Sequence, residues 1–285
     1  MVSSKNWFIS AEKQDHKGKH PVPKTNLKNN MWRSNVSVFS FDAGFLDLAL
    51  SAAPSVARIL ENDFRFKGTG FKISDKLLMT NSHVLHDAFY AKNHFVEFDY
   101  ELNGSSRPKT VTRFSLAPND FFMSSSYEDL DFAIVAIGDR ILGERQLPEF
   151  GYCPLVDINT ENIDKMNIII HHPGGSYKHI TLLNNQVVAR SKEVLHYYGE
   201  TRSGSSGAPV FNSKFELIAM HHYRRPSRPA QTEDGQLGPK DANEGIRICA
   251  IIRRIKVEKH KLPEKQRSLI HDALTVPFSH PSLLN

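Results

Sequence analysis

Cysteine is scarce: Cys153 and Cys249 are the only two in a chain of 285 residues. Each sits in an apolar context, YCPLV and IRICAII, and a pair so far apart does not make a disulfide framework, so both read as buried thiols. Long apolar runs are missing too. No stretch approaches the ~18 apolar residues that cross a bilayer, and the opening MVSSKNWFISAEKQDHKGKH contains no apolar segment of signal-peptide length. Membrane insertion and classical secretion are therefore not expected, and the cytoplasm is the expected location. No HExxH-type spacing occurs, although the histidine pairs 171/172 and 221/222 are zinc-ligand types, so neither a metal nor a cofactor is expected.

A broad excess of charge is also lacking. The net charge is +5, but Lys5, Lys13, Lys17, Lys19, Lys24, Lys28 and Arg33 outnumber Glu12 and Asp15 by that same five, so the rest of the chain is balanced. A second basic stretch, Arg253 to Arg267, has the character of a solvated face. Neither stretch interleaves aromatics as a base-stacking platform would, which argues against nucleic acid as a partner. With 40% hydrophobic and 24% charged residues, what remains is an ordinary globular composition.

Three parts follow along the chain. Residues 1–45 begin as a polar, Lys/Asn-rich arm that reads as mobile, with a short helix starting near residue 43 and interrupted by Pro54. Residues 46–262 carry about eleven or twelve short β-type runs, starting near Ser55 to Leu60 and including KLLMTNS, DFAIVAIG, MNIIIHH, ELIAMHH and IRICAIIRRI. Without long helical periods between them, these predict an all-β sandwich or double barrel. Residues 224–245 interrupt the series with Pro, Gly and charge, as a long surface loop does. Residues 263–285 give a C-terminal helix and tail, with Leu269, Ile270, Ala273 and Leu274 on one face of the helix.

Three segments hold the residue types that nucleophilic catalysis by serine requires. Gly204-Ser205-Ser206-Gly207-Ala208-Pro209 offers Ser206 as a nucleophile, with flanking glycines that allow a strained turn and aim the amides of Gly204 and Ser206 at one point. Taken alone, such a Ser/Gly cluster is usually a plain loop. An apolar run, Leu77-Leu78-Met79, delivers His83 at a strand end as a candidate base, one of 14 histidines. Asp131 in YEDLDFAIVAIG precedes a strand too apolar to leave a carboxylate unpaired, with Asp129 its nearest competitor.

Together the motifs GTGF, TNSHV, LDFAIV, HPGG and GSSGAPVFN, in that order from about Ser55 to Lys256, resemble the trypsin-like serine peptidases. The chain order His83, Asp131, Ser206 is that of the chymotrypsin fold, whereas an α/β-hydrolase runs Ser, acid, His. The resemblance implies two six-stranded antiparallel β-barrels with the site between them, followed here by the C-terminal helix. It also implies a serine endopeptidase that works through a His83/Asp131/Ser206 triad, an acyl-enzyme and an oxyanion hole made by Gly204 and Ser206. The alternative is a catalytically silent module that keeps the barrels to bind peptides. The implied partner is a protein or peptide substrate, and cytoplasmic members of the group often serve one dedicated partner protein.

Two departures qualify the resemblance. Activated trypsins hold an Asp before the catalytic serine to receive a newly cut N-terminal amine, but Ser205 stands there, so the oxyanion loop must be held by other contacts. The S1 signals also conflict. Glu200 matches the acidic S1 residue of trypsins and points to a basic P1, whereas Thr201 and His221 match the pair with which glutamyl endopeptidases hold an acidic P1. After His221 the chain continues His-Tyr-Arg-Arg where those enzymes have Trp-Gly-Gly. A full charge on Glu200 against a mostly neutral histidine favours the basic side.

Overall fold

A computed structural model describes residues 41, 43–158, 166–182 and 185–275, so most of the expected arm and the last ten residues lie outside the described part. The described chain opens with helix α1 (Gly44–Ala52), which passes into a single tight turn over Ala53–Ser55. Pro54 lacks the N–H that would continue an α-helical ladder, so the turn ends the helix and releases strand β1 (Val56–Glu61).

Strands β2 (Phe66–Lys72) and β3 (Leu77–Thr80), the one-turn helix α2 (Ala88–Ala91), and strands β4 (His94–Phe98), β5 (Thr112–Leu116), β6 (Phe122–Ser124) and β7 (Ala133–Leu142) complete the first sheet. It closes on itself: the order β3-β2-β1-β4-β5-β7 returns to β3 through Leu77 opposite Ala136 and Thr80 opposite Ala133, while β6 lies against β7. Closure leaves no edge along that circuit.

The second sheet is antiparallel as well, in the order β10-β11-β14-β13-β12-β8-β9. Its members are β8 (Ile168–His171), β9 (His179–Thr181), β10 (Val187–Arg190), β11 (Val194–Tyr197), β12 (Pro209–Phe211), β13 (Leu217–Tyr223) and β14 (Asn243–Arg247). Among the described residues this sheet stays open, a half-barrel beside the closed one. The arrangement is the expected two-barrel fold, and the stretch between β13 and β14 is the expected long loop.

The strands are apolar on both sides because both sides are buried. On β7, Ala133, Val135 and Ile137 fill the barrel interior with Leu78, Val96 and Phe98, while Ile134 and Ala136 join the outer cluster with Phe71, Met79 and Phe132. In the second sheet Ile169 and Val210 pack inward, whereas Ile168, Ile170 and Phe211 face that outer cluster. The two-residue strand period thus turns continuous runs such as AIVAI and III into two packed faces.

One expected strand is a helix. The run IRICAIIRRI leaves β14 at Arg247 and winds into α3 (Ile248–Glu258), burying Ile248, Ile251, Ile252 and Ile255, a spacing of three and four that only a helix brings to one side. Arg254 points away from that face and pairs with Asp129. The expected C-terminal helix is α4 (Glu264–Thr275), with Ile270 and Ala273 buried and Leu269 and Leu274 packed beside them.

Candidate active site

Strand β3 runs out at Thr80, and the next three residues all turn to one aspartate. Asn81 Nδ2 donates to the Asp131 carbonyl at 3.0 Å, Ser82 Oγ to Asp131 Oδ1 at 2.7 Å, and the His83 amide to the same oxygen at 3.0 Å. His83 Nδ1 lies 2.7 Å from Asp131 Oδ2. Asp131 is fully buried and has φ +40°, a left-handed value that costs a non-glycine residue energy. The ring of contacts from Asn81 to His83 over-determines that conformation. His83 itself is about one-third exposed, its ring edge-on to Tyr127. Asp129, the competing carboxylate, is occupied elsewhere by Arg254 and Ser125.

Ser206 sits between two glycines with positive φ, +90° at Gly204 and +83° at Gly207. Neither tolerates a side chain: a Cβ on Gly207 would lie 2.1 Å from the Thr69 carbonyl, and one on Gly204 2.0 Å from the Phe66 ring. Strand β2 of the closed barrel grips this turn, since the Thr69 amide donates to Ser206 O at 2.9 Å and Thr69 Oγ1 to Gly204 O at 2.8 Å. Among the described residues, the amides of Gly204 and Ser206 donate to no protein acceptor, and none joins Ser206 Oγ to His83. The hydroxyl instead donates to the His222 carbonyl at 3.4 Å.

The expected S1 residues do not share one environment. The Glu200 side chain is 77% exposed, paired at 3.2 Å with Arg202, and lines a cavity of about 490 Å³ with His171, Pro173, Gly174 and Arg202. Thr201 is buried and donates to Asn243 Oδ1 at 2.6 Å, and His221 is buried against Tyr197, its Nδ1 2.7 Å from the phenol oxygen. Burial pushes His221 down to about 3, with His171 and His222 adding to the effect, so its imidazole is neutral across the ordinary working range.

Sequence reading missed two residues behind Asp131. His222 is fully buried, with Nε2 3.3 Å from Asp131 Oδ2 and Nδ1 2.9 Å from Glu244 Oε1. Glu244 also receives Ser227 Oγ at 2.6 Å and the amides of Ser227 and Arg228, each at 2.9 Å. Burial alone would raise the Glu244 carboxyl, but hydrogen bonds from His196, His222, Ser227 and the Arg228 amide outweigh it and hold the group well below the usual carboxylate range. The only sequence signal was the 221/222 pair, weighed there as zinc ligands. His83, Asp131 and His222 do present donor atoms within 4.8 Å of one another, yet the 2.7 Å between His83 and Asp131 is a hydrogen-bond length, shorter than the ~3.3 Å edge of a tetrahedral zinc site.

The sequence model for the trypsin-like peptidase domain matches residues 68–220, which span the TNSHV turn, the LDFAIV strand and the glycine-flanked serine. An uncharacterized protein of Sinorhizobium fredii, y4fB, is 33% identical over 267 residues, covering 82% of this chain and 40% of its own length. The chain thus spans less than half of that relative. Among solved structures, a serine endoprotease from Yersinia pestis superposes with a TM-score of 0.51 at 17% identity, covering 77% of this chain and 67% of that one, a likeness of fold. Among the described residues no helix is long and apolar enough to cross a membrane. More than half of the chain answers to that one domain model, and the chain belongs to the trypsin-like peptidase family.

Proposed function

We propose that the chain is a serine endopeptidase in which Ser206 attacks the scissile carbonyl, His83 takes and returns the proton, and Asp131 orients the imidazole. The amides of Gly204 and Ser206 receive the oxyanion, and the reaction passes through an acyl-enzyme on Ser206. The observation that carries this reading is the 2.7 Å bond from His83 Nδ1 to a fully buried Asp131. With its proton on Nδ1 directed to the carboxylate, the ring has a bare Nε2, the acceptor that the serine proton requires. Before attack, Ser206 Oγ has to leave the His222 carbonyl for that nitrogen, and such bonds tighten when substrate is bound. The implied substrate is a protein or peptide, and on the charge of Glu200 a basic P1 residue is the preferred one.

The second reading, a silent peptide-binding module, is tested by the same experiment. A fluorophosphonate probe labels the wild-type chain, and Ser206→Ala abolishes both labelling and turnover of a fluorescent casein while its melting curve stays unchanged. A wild-type chain that neither labels nor cleaves makes it a binding module. Undiminished turnover by Ser206→Ala moves the nucleophile elsewhere.

A further inference from the structure

We propose that His171 is a positioning residue that holds the oxyanion turn in its working form through Ser205, an inference that rests on the reading of Ser206 as nucleophile. Ser205 is fully buried, and its hydroxyl accepts from the Arg202 amide at 3.1 Å. The same oxygen lies 2.7 Å from His171 Nδ1, and His171 Nε2 lies 3.0 Å from Thr181 Oγ1. Thr181 Oγ1 in turn donates to the Glu200 carbonyl at 3.4 Å.

One arrangement of protons satisfies every member of this chain. Thr181 Oγ1 gives its single proton to the Glu200 carbonyl and so can only accept from Nε2–H. That leaves Nδ1 bare to accept the Ser205 hydroxyl proton while Ser205 Oγ accepts the Arg202 amide. Burial pushes His171 down to about 4, which keeps the ring in this neutral form. Two neighbours on the β8–β9 hairpin, His171 and Thr181, therefore clasp residues 200 to 205 at both ends.

What the clasp protects is the direction of two amides. The Gly174 amide donates to the Ser203 carbonyl at 2.7 Å, and because a trans peptide sets C=O and N–H on opposite sides, the Gly204 N–H is turned the other way. The carbonyls of Gly204 and Ser206 are taken by Thr69. That leaves Ser205 as the residue between the two oxyanion donors, and His171 is its side chain's partner outside the 200–206 turn. The charged contact expected to be missing here is replaced by a neutral one that comes from the fold itself.

The test is fluorophosphonate labelling of the full chain, separated into the maximal rate of covalent reaction and the half-saturating probe concentration. His171→Leu keeps volume without an acceptor, Ser205→Ala removes the hydroxyl, and His171→Asn returns an acceptor near the Nδ1 position. Loss of the clasp lowers the maximal rate about 10- to 100-fold in His171→Leu and Ser205→Ala while the half-saturating concentration moves less than about 3-fold. His171→Asn recovers to within about 5-fold of wild type on the same scale. If His171→Leu does not fold, Ser205→Ala carries the same expectation. Maximal rates within about 2-fold of wild type in the foldable variants overturn the proposal, as does a loss that tracks a lowered melting temperature and is not recovered by His171→Asn. In either case a Ser206→Ala control that fails to label leaves the peptidase reading intact; a control that still labels overturns both.

Discussion

At the scale of single residues, charge and burial divide the work. Asp131, His222 and Glu244 are fully buried, His222 hydrogen-bonded to Glu244 and 3.3 Å from Asp131, whereas Glu200 stands in solvent beside Arg202. An exposed charge is screened and already partnered, so the preference it gives for a substrate cation is modest. Glu200→Gln is accordingly expected to lower kcat/KM for peptides with Arg or Lys at P1 by about 5-fold or less. Peptides with Glu at P1 should stay poor substrates for both forms, because the neutral His221 offers no cation. A P1-varied fluorogenic panel measures this, and a clear preference for Glu at P1 would sink the argument. The trio proposed for catalysis was legible at this scale because each member sits in a local motif: a strand end, the start of an apolar strand, a turn flanked by glycines. His171, His222 and Glu244 were not. Their partners lie 34 residues away for His171 and 22 residues apart for the other two, and each looks like an ordinary strand residue until the sheets are assembled.

At the scale of elements, α3 shows where local pattern misled. Isoleucine favours strands, and the run continues β14 without a break, so propensity and continuity both pointed to a strand. The buried set Ile248, Ile251, Ile252 and Ile255 nonetheless has helical spacing, and packing against the core selected it. The assignment has a consequence for stability. Ile251→Ala should cost about 2–5 kcal/mol, as a fully buried large-to-small change does, while Val257→Ala on the exposed side of the same helix should stay within about 0.5 kcal/mol. Urea denaturation of the two variants measures the contrast. Equal losses would mean that the faces of α3 are wrongly assigned. Elsewhere the element pattern agrees: the apolar runs of β3, β7, β8 and β13 are strands, and the apolar face of α4 lies on a helix.

At the scale of the whole molecule, buried histidines couple the fold to pH. His171 and His221 are pushed down by burial to about 4 and about 3, and an unfolded chain returns them to about 6.5. Between those values the unfolded state binds more protons than the folded one, so stability falls as pH drops from about 6.5 towards 4. Glu244, also held below its unfolded value, works in the same direction below about 4.5, since it must take up a proton that its hydrogen bonds oppose. The melting temperature is therefore expected to be nearly level at neutral pH and to decline steadily from about pH 6.5 to 4. His171→Asn should flatten part of that decline. A melting temperature unchanged from pH 7 to 4.5 would contradict the burial of these rings in a neutral state.

The sequence by itself determined the β-rich architecture, the order of the family motifs and the residues proposed for the triad, because strand period, turn glycines and short motifs act over a few neighbouring positions. Tertiary structure alone decided what surrounds them. It brought the β8–β9 hairpin to Ser205, set His222 and Glu244 behind Asp131, turned Glu200 towards solvent and made a helix of α3. These outcomes depend on desolvation and hydrogen-bond geometry between distant strands, quantities that exist only after the chain has closed on itself.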